Sequence, residues 1–108
     1  MARQDALQGS LPLLILKILG RLGPLHGYGI TARIESMSDV LRVEEGSLYP
    51  ALHRMEESGF IRARWVTTEN KRRARMYEIT AAGRKQLEEE ERRWLAVTAA
   101  VGQILQNV

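Results

Sequence analysis

Arg62 to Thr80 reads RARWVTTENKRRARMYEIT. The stretch carries six basic side chains (Arg62, Arg64, Lys71, Arg72, Arg73, Arg75) against two acids, Glu69 and Glu78. Both flanks favour strand. Arg62 to Thr67 alternates basic with apolar, and Tyr77 and Ile79 lie two apart after Arg75, as one strand face requires. A polar, strongly cationic tip lies between the flanks. The reading is a two-stranded hairpin that reaches for a polyanion, and nucleic acid is the expected one.

On the C-terminal side, Thr80 is expected to cap a last helix, with Ala81, Ala82 and Gly83 in its first turn. Leu87, Trp94, Val97, Val101, Ile104, Leu105 and Val108 then form one broad stripe close to heptad spacing. Nothing in a 108-residue chain obviously covers the distal half of that stripe, whereas a helix of a second chain would. On the N-terminal side, a helix is predicted from about Glu45 to Glu57, stopped by Ser58-Gly59. Leu48, Leu52 and Met55 fall on its buried face. Pro50 lies inside it, close enough to its start to cost little, and Gly46 eases the crowding by the proline ring.

Further upstream, Asp39 to Val43 reads as a connector, either a brief strand or an irregular link. A second helix with Ile30 and Ile34 one turn apart ends near Met37 or Ser38, and the glycine-punctuated turn GPLHGYGI (Gly23 to Ile30) leads into it. The first helix is expected to start at a Ser10 cap with Pro12 in its first turn. Leu11, Leu14, Ile15, Ile18, Leu19 and Leu22 recur along it at helical spacing, and Gly23-Pro24 ends it.

Three helices, a hairpin and a long helix give a mostly α fold with a two-stranded β wing. This is the order of a winged helix-turn-helix with a dimerisation helix appended, residues 1–80 and 81–108 respectively. In that architecture the third helix enters the major groove and the wing lies over the backbone or minor groove. With Leu48, Leu52 and Met55 inward, the outward residues near the start of the third helix are Ser47, Tyr49, Pro50, His53 and Arg54.

Composition agrees with one globular domain: 44% hydrophobic, 27% charged, formal net charge +3. The charge is uneven, with an acidic run at Glu88 to Glu91 and the basic excess in the hairpin. The absence of cysteine excludes disulfides, thiolate nucleophiles and zinc–cysteine sites. Met1 to Gln8 lacks the apolar core of a signal peptide. Leu11 to Leu22, interrupted by Lys17 and Arg21, is too short to cross a bilayer. A soluble, cytoplasmic protein is expected, with no membrane partner, cofactor or metal. No phosphate cradle or nucleophile constellation is visible, and no enzyme is expected.

Four strings follow in order: GPLHGY (Gly23 to Tyr28), GSLYPAL (Gly46 to Leu52), EESGFI (Glu56 to Ile61) and YEITAAG (Tyr77 to Gly83). Together they resemble the PadR-like transcriptional regulators over roughly Leu11 to Leu87. The resemblance implies a dimeric winged-helix regulator, usually a repressor, bound to operator DNA of some dyad symmetry. By position it maps DNA contact onto Ser47, Tyr49, Pro50, His53 and Arg54, and the wing onto Lys71, Arg72 and Arg73. Many members respond to phenolic or other planar aromatic compounds near the dimer interface. The chain stops one helix after the wing, as in the short branch of the family. Comparable members often begin the reading helix with Ser-Pro, where this chain has Glu44 and Glu45. Those acids suit the helix dipole but are poor neighbours for phosphate.

Several residues keep two readings. Tyr49 either contacts DNA or packs beside Leu52 or Met55. His53 is a DNA contact or a plain surface residue. His26 reads as a turn-stabilising residue in preference to a metal ligand. Trp65 reads as core packing against Tyr77. Trp94 is either an anchor of the helix seam or a flat stacking surface for an aromatic effector at a dimer interface. Two other functions stay open beside regulation: a protein-interaction winged helix, and a small-molecule carrier without DNA binding.

Overall fold

The density of branched apolar residues in the first helix makes it the pillar of the core. Leu11, Ile15, Leu16 and Leu19 are all but fully buried, and Leu13 and Ile18 nearly so. The computed structural model describes residues 2–108, with side chains from residue 9 onward. The reading of Met1 to Gln8 lies outside those side chains. Helix α1 spans Ala2–Leu22. It begins upstream of Ser10, so Ser10 is not its cap, and Pro12 lies in its interior rather than its first turn. An internal proline costs roughly 3 kcal/mol. Burial of the leucines around it, at roughly 1.5–3 kcal/mol each, outweighs that cost. Gly23 ends α1 at φ +85°, and its N–H donates to the Leu19 carbonyl at 3.0 Å. This is a left-handed stop that glycine takes without strain.

The rest of the described chain is β1 (Leu25–His26), α2 (Gly27–Met37), α3 (Glu45–Glu57), β2 (Ile61–Thr67), β3 (Arg73–Ile79) and α4 (Ala81–Asn107). The three helices before the wing, the hairpin and the last helix stand as the residue pattern foretold. Strand β1 replaces part of the expected turn. It pairs antiparallel with β3, Leu25 opposite Tyr77 and His26 opposite Met76, so the sheet has three strands in the order β1-β3-β2. The connector between α2 and α3 is irregular. Val43 is buried there, and its N–H donates to Glu35 Oε2 at 3.0 Å.

One core joins α1 to Ile30 and Ile34 of α2, Leu48, Ala51, Leu52 and Met55 of α3, and Ile61 and Tyr77 of the sheet. The hairpin register runs from Ile61 opposite Ile79 to Thr67 opposite Arg73. Its tip closes with Thr68 N–H donating to the Arg72 carbonyl at 2.8 Å and Lys71 N–H to the Thr68 carbonyl at 2.9 Å. Lys71 takes φ +60°, a conformation glycine would hold more cheaply.

Thr80 caps α4 as expected, its Oγ1 accepting from Gly83 N–H at 3.0 Å. The same hydroxyl donates to the Gly59 carbonyl at 2.6 Å. Gly83 is buried, and a Cβ there would collide with the Phe60 carbonyl. This close approach sets the root of α4 against the start of β2. One turn farther on, Leu87 packs against the chain's own core. Lys17 Nζ of α1 pairs with Glu91 of α4 at 3.1 Å. The molecule reaches 57 Å along its longest axis.

Candidate nucleic-acid interface

Burying Leu48, Ala51, Leu52 and Met55 leaves α3 with one outward stripe, on which Gly46, Tyr49, Pro50, His53, Arg54 and Glu57 are exposed. Ser47 is half-buried at its margin. The expected reading residues therefore share one helix surface, but they split between two hollows. Tyr49 and His53 line a groove of about 590 Å³ between α3 and the wing, together with Tyr28, Trp65, Arg73, Arg75 and Tyr77. Ser47, Pro50 and Arg54 line a smaller hollow of about 110 Å³ on the α1 side, beside Leu11.

Tyr49 packs against Gly27 of α2. Its ring covers Gly27, where an added Cβ would lie 2.8 Å from the phenol oxygen. It still exposes part of its surface to the groove, so packing and contact are not exclusive for this residue. His53 Nε2 lies 3.5 Å from Glu57 Oε2, both side chains well exposed. At the start of α3, Glu44 is the cap residue without a side-chain cap bond, and Glu45 occupies the first turn. The acids thus sit at the positive helix end.

The hairpin's cations differ in what holds them. Arg62 pairs with Glu78 across the two strands at 2.9 Å, and Arg75 pairs with Glu56 of α3 at 2.9 Å. Arg75 Nε is the one buried side-chain nitrogen or oxygen without a hydrogen-bond partner among the described residues. Arg73 lies over the Trp65 ring, 4.7 Å from its centroid. Arg64, Lys71 and Arg72 are exposed, and Lys71 and Arg72 stand at the tip. Two of the basic residues are thus neutralised within the fold; of the others, Lys71 and Arg72 stand at the tip and Arg73 lines the groove.

Two residues depart from their expected places. Trp65 is 55% exposed and is not packed in the core. The register puts Ala63, not Trp65, opposite Tyr77, and Trp65 opposite Arg75. Two residues farther toward the tip, Trp65 lines the open groove instead of the core. His26 sits in a strand rather than a turn, and its Nδ1 lies 3.1 Å from the Arg75 carbonyl. Among the described residues no cluster of three potential metal ligands exists. No described helix is long and apolar enough to cross a membrane.

A second surface lies on α4. Trp94, Val97, Val101, Ile104 and Leu105 are all exposed, Leu105 by 75%. Trp94 and Val97 border a hollow of about 250 Å³ with Ser10, Leu13, Glu90 and Arg93. Among the described residues none of these five side chains belongs to the core.

Comparison with known proteins gives this geometry a context. Residues 15–89 match the model of the Transcriptional regulator PadR-like family. The fold is similar to a PadR-like transcriptional regulator from Bacillus cereus, 30% identical, with TM-score 0.82, over 96% of this chain and 99% of that one. A transcriptional regulator from Clostridium thermocellum is 29% identical, with TM-score 0.82, over 92% and 96% of the two chains. Bacillus subtilis PadR, solved in complex with operator DNA, is 31% identical with TM-score 0.66, over 79% of this chain and 46% of that one. An uncharacterised 37.1 kDa transposon protein of Streptomyces fradiae is 47% identical over 68 residues, 63% of this chain. The match spans only 18% of that protein's length.

Proposed function

The chain belongs to the PadR-like family of transcriptional regulators, and on that premise we propose that it is a homodimeric repressor that binds operator DNA. One observation carries the reading. Tyr49 and His53 of the exposed α3 stripe and Arg73 of the wing border one groove, and Lys71 and Arg72 are exposed at the tip of the same wing. A duplex backbone strand passing between a helix in the major groove and a wing in the adjacent groove would cross there. Ser47, Tyr49, Pro50, His53 and Arg54 would face the bases and sugars, and Lys71, Arg72 and Arg73 the phosphates. The DNA-bound relative from Bacillus subtilis supports the choice of ligand.

The exposed α4 stripe supports the dimer. A second copy would bury Trp94, Val97, Val101, Ile104 and Leu105, and place two reading heads about one helical turn apart on DNA. Trp94 then offers a flat face for a planar aromatic effector near the dyad. An effector that tilts the two α4 helices would weaken DNA binding, and DNA would weaken effector binding by the same factor.

Fluorescence anisotropy with the duplex flanking the protein's own gene tests this reading. Binding should weaken steeply with salt, and Arg72→Ala should lower the slope of log K against log salt by close to one. Light scattering should show a dimer that Ile104→Glu converts to a monomer. Undetectable or salt-insensitive DNA binding would refute the proposal. A protein-interaction or carrier function, the other two readings, would leave the uncommitted wing cations without a use.

A further inference from the structure

Trp65 stands apart in its strand. Ile61 of β2 is buried and Val66 half-covered, yet the largest side chain of the strand is 55% exposed. Two guanidinium groups lie over it, Arg73 at 4.7 Å and Arg75 at 5.5 Å from the ring centroid. These arginines are not equivalent. Arg75 is tied to Glu56 at 2.9 Å, whereas Arg73 has no acidic partner among the described residues. All three side chains line the groove that also holds Tyr49 and His53 of α3.

An arginine loose in solvent gives up its rotamer freedom when it meets a phosphate, and that loss opposes binding. An arginine already laid on an indole face has surrendered much of it beforehand. The stack leaves the guanidinium edge, with its fan of donors, available to an oxygen anion. Trp65 does not serve the core: it is well exposed and stands opposite Arg75 in the sheet. A large apolar residue kept in solvent beside a free arginine needs another reason.

We propose that Trp65 is a positioning residue for DNA: its indole holds Arg73 against the groove wall, aimed at the backbone strand between α3 and the wing. This role rests on the DNA-binding reading above, and its test separates the two. The full chain is titrated with the duplex flanking its own gene and with a random-sequence duplex at low salt. Trp65→Ala should weaken binding about two- to fivefold, the range of an exposed cation–π contact, and Trp65→Phe should restore most of the loss. In an Arg73→Ala background, Trp65→Ala should do nothing further. Although it removes no charge, Trp65→Ala should shift the salt slope in the same direction as Arg73→Ala.

Losses that simply multiply between the two positions, or a phenylalanine no better than alanine, overturn the role. So does an unchanged salt slope. Thermal melts of each variant separate wing collapse from lost positioning. If Trp65→Ala melts early, Trp65→Leu, which keeps apolar bulk without a ring face, takes its place in the cycle with Arg73→Ala. A parent protein that binds neither duplex overturns the DNA reading and this role together. A parent that binds, with Trp65→Ala equal to it, overturns this role alone.

Discussion

Gly83→Ala should lower stability sharply, although alanine is the better helix former. In an exposed helix the exchange would gain about 1 kcal/mol. At Gly83 the added methyl would collide with the backbone carbonyl of Phe60, and would lie 2.8 Å from Ile79 Cγ1 and 3.0 Å from the Phe60 carbonyl carbon. The carbonyl oxygen is not free to yield, because it accepts from Thr80 N–H at 3.0 Å. Either α4 moves off its seat, losing the Thr80 cap, or β2 shifts at its root. Overpacking against backbone costs about 3 kcal/mol or somewhat more. After the helix gain is subtracted, the net loss is about 2–3 kcal/mol. For a domain of this size that lowers Tm by about 10–20 °C. The control is Gly29→Ala, at the equivalent third position of α2, where the new methyl would meet only Leu25 at 3.5 Å or more. It should gain about 0.5–1 kcal/mol. Both are read by circular-dichroism melts at one fixed protein concentration, since dimerisation would make Tm concentration-dependent. A Gly83→Ala protein that melts at or above the parent temperature would show that α4 is not seated by this contact.

Lys71→Gly relieves the left-handed tip and should stabilise the hairpin by about 0.5–1 kcal/mol, while reducing the salt slope of DNA binding by close to one unit; melts and titrations read the two effects separately. Glu56→Gln leaves Arg75 without its acid in a partly buried place and should cost about 1–2 kcal/mol in urea unfolding. Burial pushes the Tyr77 phenol above its usual 10.0, against the pull of the Arg75 guanidinium. The folded state therefore favours the neutral phenol. That contribution is fully present below pH 10 and is lost as pH rises through the folded value, so one tyrosine in alkaline absorbance titrations should ionise late and together with unfolding. Tyr77→Phe should remove that late step.

Local signals were read well and long-range ones poorly. The bounds of α2 and α3 and the Thr80 cap follow from spacing and cap chemistry within a few residues, and these agree with the structure. Strand β1 did not announce itself. A two-residue strand has no periodicity, and its pairing with Tyr77 and Met76 joins segments some fifty positions apart. Ser10 misleads because serine two residues before proline imitates a helix start, whereas buried Leu11 and Leu13 on either side of Pro12 sit within a continuous helix. Trp65 misled because alternation says which face a residue takes, not how far along the strand its cover extends. The groove is half legible: Tyr49, His53 and Arg73 stand out in the sequence, but their meeting depends on how the wing leans on α3 through Arg75 and Glu56. The carbonyl that excludes a side chain at Gly83 leaves no mark in composition at all.

That seat has a mechanical meaning. The 27 residues of α4 make a rod about 40 Å long, seated at its foot on the same backbone that begins the wing. Rotation by about 5° about such a foot carries the far tip through about 3.5 Å. Read in reverse, the rod is a reduction gear: a coarse push at its free end reaches the hairpin as a fine adjustment.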